Sequence, residues 1–224
     1  MHGIDRKSKI KRQLMYLGVV LLSLSAALFV YQYVYKNQVH VVDYSSSDRA
    51  LKDNELPNEQ KPTVQEVIAY KTDNPLYPKK LVISRLGFSA RVIPLGIDKN
   101  KRIEAPANIH DIGWLKSSST PLAQEGFTVL DGHVQGRSAE GVFKNLDKLA
   151  IGEGVQIETN NGTQISFTVS SRRVIDFDEP AEKSLLAPPK NGVFELRLIT
   201  CAGSFNKQNN TYDKRLLVTA VRQN

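Results

Sequence analysis

"VQIETNNGTQISFTV", Val155 to Val169, decides the fold. Val155 and Ile157 alternate with Gln156 and Glu158, and Ile165, Phe167 and Val169 alternate with Ser166 and Thr168. A period of two puts the apolar side chains of an extended chain on one face. Between the runs stands Asn160-Asn161-Gly162, and Asn-Gly supplies the positive φ that tight strand turns need. The stretch therefore predicts an antiparallel hairpin with one apolar face, which other strands must cover.

Those strands are visible on both sides. "KLVISRL" (Lys80–Leu86) and "FSARVIPL" (Phe88–Leu95) flank Gly87, and "FTVLDGH" covers Phe127–His133. "ELRLITC" (Glu195–Cys201) and "RLLVTAV" (Arg215–Val221) complete the series. Only "EGVFKNLDKL" (Glu140–Leu149) reads as helical, with Val142, Phe143, Leu146 and Leu149 spaced by three and four. Many short strands with turns between them predict a mostly antiparallel barrel or sandwich. A closed barrel leaves no open edges.

Upstream the composition changes. Leu14 to Tyr35 contains no charged residue, and its 22 residues are enough to cross a bilayer as a helix. Arg6, Lys7, Lys9, Lys11 and Arg12 precede it, so the positive-inside rule places residues 1–13 in the cytoplasm as a basic tip. A cleaved signal peptide at Ser25-Ala26-Ala27 is the rival reading, but the apolar run continues past it to Tyr35. Residues 36–75 are polar, with a weak Val64/Val67/Ile68 grouping fit for one helical turn, and read as a stalk. Residues 76–224 form one domain outside the cell. The net charge of +7 sits largely in the tip, and no basic stripe with interleaved aromatics appears, which excludes nucleic acid as a partner.

Export gives weight to the chain's single cysteine, Cys201, since an unpaired exported thiol is either intermolecular or reactive. A thiol becomes a nucleophile as thiolate, usually beside a histidine or a cation. Of the four histidines, His2 and His40 lie before the domain and His110 lies in a loop. His133 ends an apolar strand between Gly132 and Gly136, as Cys201 ends another. Arg215 opens the last strand fourteen residues after Cys201, so antiparallel pairing of these strands places both at one end. An inert buried thiol and a solvated strand-end charge are the plain alternatives.

Taken in order, these residues resemble the sortases, membrane-anchored cysteine transpeptidases. "LITC" (Leu198–Cys201) is similar to the end of their Thr-Leu-x-Thr-Cys motif, and "GHV" (Gly132–Val134) to their histidine motif. "KRLLVTA" (Lys214–Ala220) is similar to the strand that carries their arginine. "KLVISRLGFSARVIPLGID" and "IGWLKSSSTPLAQEGFTVLDGH" follow the family's early strands. The resemblance implies a closed eight-stranded β-barrel with one or two short helices, preceded by the transmembrane helix. It implies that Cys201 attacks the Thr–Gly carbonyl of an LPxTG-like sorting signal to give a thioacyl enzyme. His133 then serves as acid and base, and Arg215 holds the oxyanion or the substrate backbone. Thr200, Ile199 and Arg197 would line or support the substrate site. The implied partners are secreted proteins with C-terminal sorting signals and an amine of the cell wall or of a pilin; no cofactor is implied.

The first motif threonine is replaced by Arg197, which shares a strand face with Ile199 and Cys201 and competes with Arg215 as the functional arginine. "ELRLITCAGSF" leans toward class F, and the loop from Arg172 to Gly192 matches the one that reads the sorting signal. Asp111, Asp131 and Glu140 offer carboxylates for a calcium site, though their spacing does not demand one. An L,D-transpeptidase needs a Ser-His-Gly-Cys signature that is missing here, and papain-like peptidases place Cys before His. A non-catalytic anchored β-barrel binding module stays open as the alternative from a different class.

Overall fold

The computed structural model describes residues 57–98, 103–176, 185–189, 192–208 and 211–223. The expected tip and transmembrane helix, residues 1–35, lie outside the described residues, as does most of the expected stalk. Eight strands close into a barrel: β1 (Pro78–Ile83), β2 (Phe88–Leu95), β3 (Ile112–Leu115), β4 (Gly126–Gly132), β5 (Gly154–Thr159), β6 (Gln164–Asp176), β7 (Phe194–Asn206) and β8 (Thr211–Arg222). Their order around the barrel is β1-β2-β3-β4-β7-β8-β6-β5, and β5 pairs with β1 to complete the ring. The sequence expectation of a closed, mostly β architecture holds.

The opening stretch forms the β5–β6 hairpin, with Ile157 opposite Ile165 and Val155 opposite Phe167. Gly162 takes φ +87° at the turn, and the Asn161 side chain accepts from the Thr163 amide and the Thr159 hydroxyl. Most neighbours are antiparallel, but β2 pairs with β3 and β4 with β7 in parallel. Alternation in the sequence did not mark β3, which only the family resemblance covered; its four residues are all buried. A strand buried on both faces shows no alternation to read.

Two apolar clusters result. Leu81, Val92, Leu130, Ile157, Phe167, Leu198 and Val218 belong to the cluster that fills the barrel. A smaller cluster lies on the opposite face of β4, β7 and β8, where Val129, Ile199 and Leu217 meet Leu115 and Leu185, with Phe127, Ile103 and Ile175 at its margin. The alternation along each strand sorts side chains between these clusters.

The stretch Glu140–Leu149 corrects the sequence reading. Helical geometry is confined to a 3-10 turn at Leu146–Lys148. The backbone bonds of this region run from Lys144 to Gly141, Leu146 to Phe143 and Leu149 to Leu146, each across three residues. Phe143, Leu146 and Leu149 recur strictly every third residue, the period of a 3-10 helix, and all three are buried. β6 runs on to Asp176, paired with β8 from Arg172↔Val218 to Asp176↔Lys214, so the first part of the expected loop is strand.

The described part of the expected stalk lies against the barrel. Helix α1 (Val64–Ala69) carries a full capping box: Thr63 Oγ1 accepts from the Glu66 amide, and the Glu66 carboxylate accepts from the Thr63 amide. Thr72 and Asn160 exchange two hydrogen bonds, and Glu59 is buried.

Candidate active site

The site starts with strand register. β4 and β7 run parallel with Asp131 beside Ile199, which brings Gly132 level with Thr200 and His133 level with Cys201. β7 and β8 run antiparallel with Cys201 paired to Arg215. Three adjacent strands thus deliver His133, Cys201 and Arg215 to one end of the barrel. On β7, Leu196 and Leu198 face the interior while Ile199 joins the outer cluster. Cys201 follows Ile199 on the outer face by alternation, as Arg215 does Leu217. All three candidates are half-buried.

The histidine is held on both sides. Its Nε2 lies 2.8 Å from the Pro106 carbonyl oxygen, which only accepts, so Nε2 carries the proton. Nδ1 is then the ring atom free to exchange a proton. The preceding Gly132 is dictated by space: a Cβ there would stand 2.6 Å from the Phe143 ring and 2.8 Å from Val142 Cγ1. Phe143 packs against the strand end, and its amide donates to the His133 carbonyl at 2.9 Å.

Thr200 faces the other way. It is 2% exposed, and its hydroxyl donates to the Gly132 carbonyl at 2.7 Å. It ties the strand of Cys201 to the strand of His133 from the interior. Ile199 is buried in the outer cluster, next to Leu185 of the β6–β7 connection.

Arg197 is held by three hydrogen bonds. Its Nε and Nη2 donate to Glu195 Oε2 at 2.8 and 2.6 Å, and its Nη1 donates to the Leu185 carbonyl at 2.7 Å. The guanidinium lies 4.1 Å from the Phe127 ring centroid. It ties Leu185 to the outer face, four residues from Cys201. Arg215 is also held locally: its Nη1 donates to the Tyr212 and Lys214 carbonyls, and its Nη2 to Thr211 Oγ1.

Electrostatics set the resting state. Burial pushes the Cys201 thiol up, Arg215 opposes this, and the Asp131 charge adds to it. The resting thiol is therefore protonated at neutral pH. Asp131 escaped the catalytic reading of the sequence. Two residues before His133 on the outer face, it has its carboxyl pushed up to about 6 by burial, against the pull of His133 and Arg215. Its signal was a carboxylate at an outward position of a strand otherwise apolar there.

The calcium candidates do not converge. Asp111 accepts a two-pronged bond from Arg91 at 2.5 and 2.9 Å, and Glu140 pairs with Lys144. Among the described residues no three His, Cys, Asp or Glu side chains gather to hold a metal.

This geometry can support acyl transfer: a thiol, a histidine with one exchangeable nitrogen, and a fixed cation on one face. Comparison with known proteins bears on the family. No curated protein matches the chain. Sortase C1 of GBS pilus island 1 is 25% identical with a TM-score of 0.47, over 65% of this chain and 63% of that one. The chain thus spans under two thirds of that structure's length. Sortase C-1 from Actinomyces oris is 24% identical, TM-score 0.49, over 68% and 76%. Sortase C1 from Streptococcus agalactiae is 22% identical over 73% and 78%, and its TM-score of 0.50 supports the shared barrel fold. The sortase domain model matches residues 81–223, which include all of β2 to β8 and the three candidate residues; the chain belongs to the sortase family.

Proposed function

We propose that this chain is a cysteine transpeptidase that cuts an LPxTG-like sorting signal between Thr and Gly and passes the acyl group to an amine. The observation that carries this is the register that sets Cys201 opposite Arg215 and level with His133. Cys201 gives its proton to His133 Nδ1, and the thiolate sulfur attacks the Thr carbonyl carbon. The C–N bond breaks, His133 returns the proton to the leaving Gly amine, and a thioester remains. An incoming amine attacks the thioester, His133 takes its proton, and the sulfur leaves and is reprotonated. Splitting one acyl transfer into two steps is the gain of covalent catalysis.

Arg215 stands where negative charge develops on the carbonyl oxygen or where the peptide backbone docks. Arg197 holds the wall of the substrate groove through the Leu185 carbonyl, and Ile199 forms part of its apolar floor. Residues 14–35 anchor the chain in the membrane with its N-terminus in the cytoplasm and the barrel outside. The partners are secreted proteins with sorting signals and a cell-wall or pilin amine.

The test incubates the full chain in detergent micelles with quenched LPxTG-type peptides and an amine acceptor. Ligated product is followed by mass spectrometry, with Cys201→Ala alongside. Ligation that vanishes in the variant supports the reading. No product, together with a Cys201 that resists alkylation while folded, returns the chain to an inert binding module.

A further inference from the structure

His133 is gripped at two points, and both grips lead to the same three residues upstream. One is the loop carrying Pro106, whose carbonyl holds Nε2. The other is the small hairpin 134–141 that follows directly, closed by the Gln135↔Glu140 bridge and the bond from the Gly141 amide to the Val134 carbonyl. The Val142 amide joins the two by donating to the Ile109 carbonyl at 2.8 Å.

Residues 58–60 lie across both. The Asn58 carbonyl accepts from the Ile109 amide, the Gln60 carbonyl accepts from Asn108 Nδ2, and His110 Nε2 donates to the Glu59 carbonyl at 2.8 Å. The Glu59 side chain reaches the hairpin instead. Its carboxylate accepts from the Arg137 amide at 2.5 Å, the Ser138 amide at 3.0 Å and the Ser138 hydroxyl. The approach is close: a Cβ on Gly136 would stand 2.3 Å from Glu59 Oε1. Glu59 is 2% exposed, and its hydrogen bonds hold the carboxyl below the usual range, so it is ionised at neutral pH. Three donors converging on one buried carboxylate are a specific arrangement.

We propose that Glu59 is a positioning residue for His133: the segment entering the barrel clamps the two loops that fix the imidazole's orientation. The proposal rests on the transpeptidase reading for its kinetic part only. A loosened hairpin lets the ring leave the Pro106 carbonyl, and the proton then distributes over both nitrogens. A base displaced by ~1 Å costs about a hundredfold in rate.

The test uses the full chain in micelles with 15N-labelled histidine, as wild type, Glu59→Ala, Glu59→Gln and Ser138→Ala. Glu59→Ala is expected to lower kcat about tenfold to a hundredfold and to shift the His133 imidazole resonances from the Nε2–H tautomer toward a mixture. The KM for the peptide is expected to change less than about threefold, since the groove is untouched. Glu59→Gln keeps an acceptor oxygen in place and recovers part of kcat.

Wild-type kcat in a folded Glu59→Ala, or a loss matched by the unfolded fraction with the His133 tautomer unchanged, overturns the proposal. Where Glu59→Ala does not fold, Ser138→Ala removes a single donor. A tautomer shift in that variant supports the clamp, and unchanged His133 resonances overturn it. A wild-type chain that ligates nothing sinks the transpeptidase reading, while the imidazole spectra still decide the clamp.

Discussion

Cys201 and Arg215 are Cα partners across the β7–β8 ladder, with both side chains on the outer face of the barrel. The pairing sets the arginine beside the chain's only thiol, and the guanidinium opposes the rise that burial imposes on it.

Arg215→Ala is therefore expected to push the thiol further up. The rate of Cys201 alkylation at pH 7 should fall, and its pH profile should move to higher pH. The kcat/KM for peptide ligation is expected to fall by roughly 10²–10³, the scale for removing one oxyanion donor. Arg215→Lys keeps a cation but loses the forked contacts to the Tyr212 and Lys214 carbonyls, and should recover the alkylation profile better than the ligation rate.

Asp131→Asn acts with the opposite sign on the thiol. Removing the carboxylate charge lowers the Cys201 thiol, so alkylation at neutral pH should speed up. The same substitution has a stability signature. The folded carboxyl sits near 6, above its ordinary value of 3.8, so the folded chain holds a proton that the unfolded chain has released. That contribution is full below about pH 4 and is lost as pH rises through about 6. Melting curves from pH 4 to 8 should show wild type losing stability across this window, and Asp131→Asn should lack that loss. An identical slope in both chains would refute the assignment.

Gly132→Ala adds a methyl group that meets the Phe143 ring at 2.6 Å. Overpacking of this kind costs about 1–3 kcal/mol. The strand end must also shift, so ligation should fall beyond what the lost stability explains. Phe143→Leu in the same chain gives the methyl room and should restore part of both, as a double-mutant cycle would show.

Asp111→Ala leaves the half-buried Arg91 guanidinium without its two-pronged partner. Breaking such a pair costs about 3 kcal/mol, measurable by urea unfolding. Arg91→Ala with Asp111→Ala together should cost less than the sum of the two single changes.

Much of this was legible in the sequence because its signals were local. The hairpin at Asn161-Gly162 and the alternation in Phe88–Leu95 each rest on side chains a few residues apart. That Cys201 and Arg215 lie at one end followed from antiparallel pairing of their strands; their direct pairing came from the structure. What escaped depends on distant partners. β3 is buried on both faces, so its alternation is absent. The 3-10 geometry at Leu146–Lys148 lies in a strict spacing of three that also suits one face of an α-helix. The partner of Arg197 was not legible either, since its bond to the Leu185 carbonyl depends on a residue twelve positions upstream. Glu59 was invisible for the same reason, since its partners Arg137 and Ser138 lie nearly eighty residues away.

The parallel pairing of β4 with β7 has a consequence for how the chain comes to life. Parallel neighbours cannot be joined by a tight turn, and 68 residues separate His133 from Cys201. The intervening chain builds the β5–β6 hairpin, and β8 stands between β6 and β7 in the ring. During synthesis the histidine emerges long before the thiol, and the arginine emerges after both. Such long-range closure is slow and comes late in folding. A partly emerged chain therefore carries Cys201 without its cross-strand neighbour, and the thiol meets Arg215 only when the last strand closes the ring.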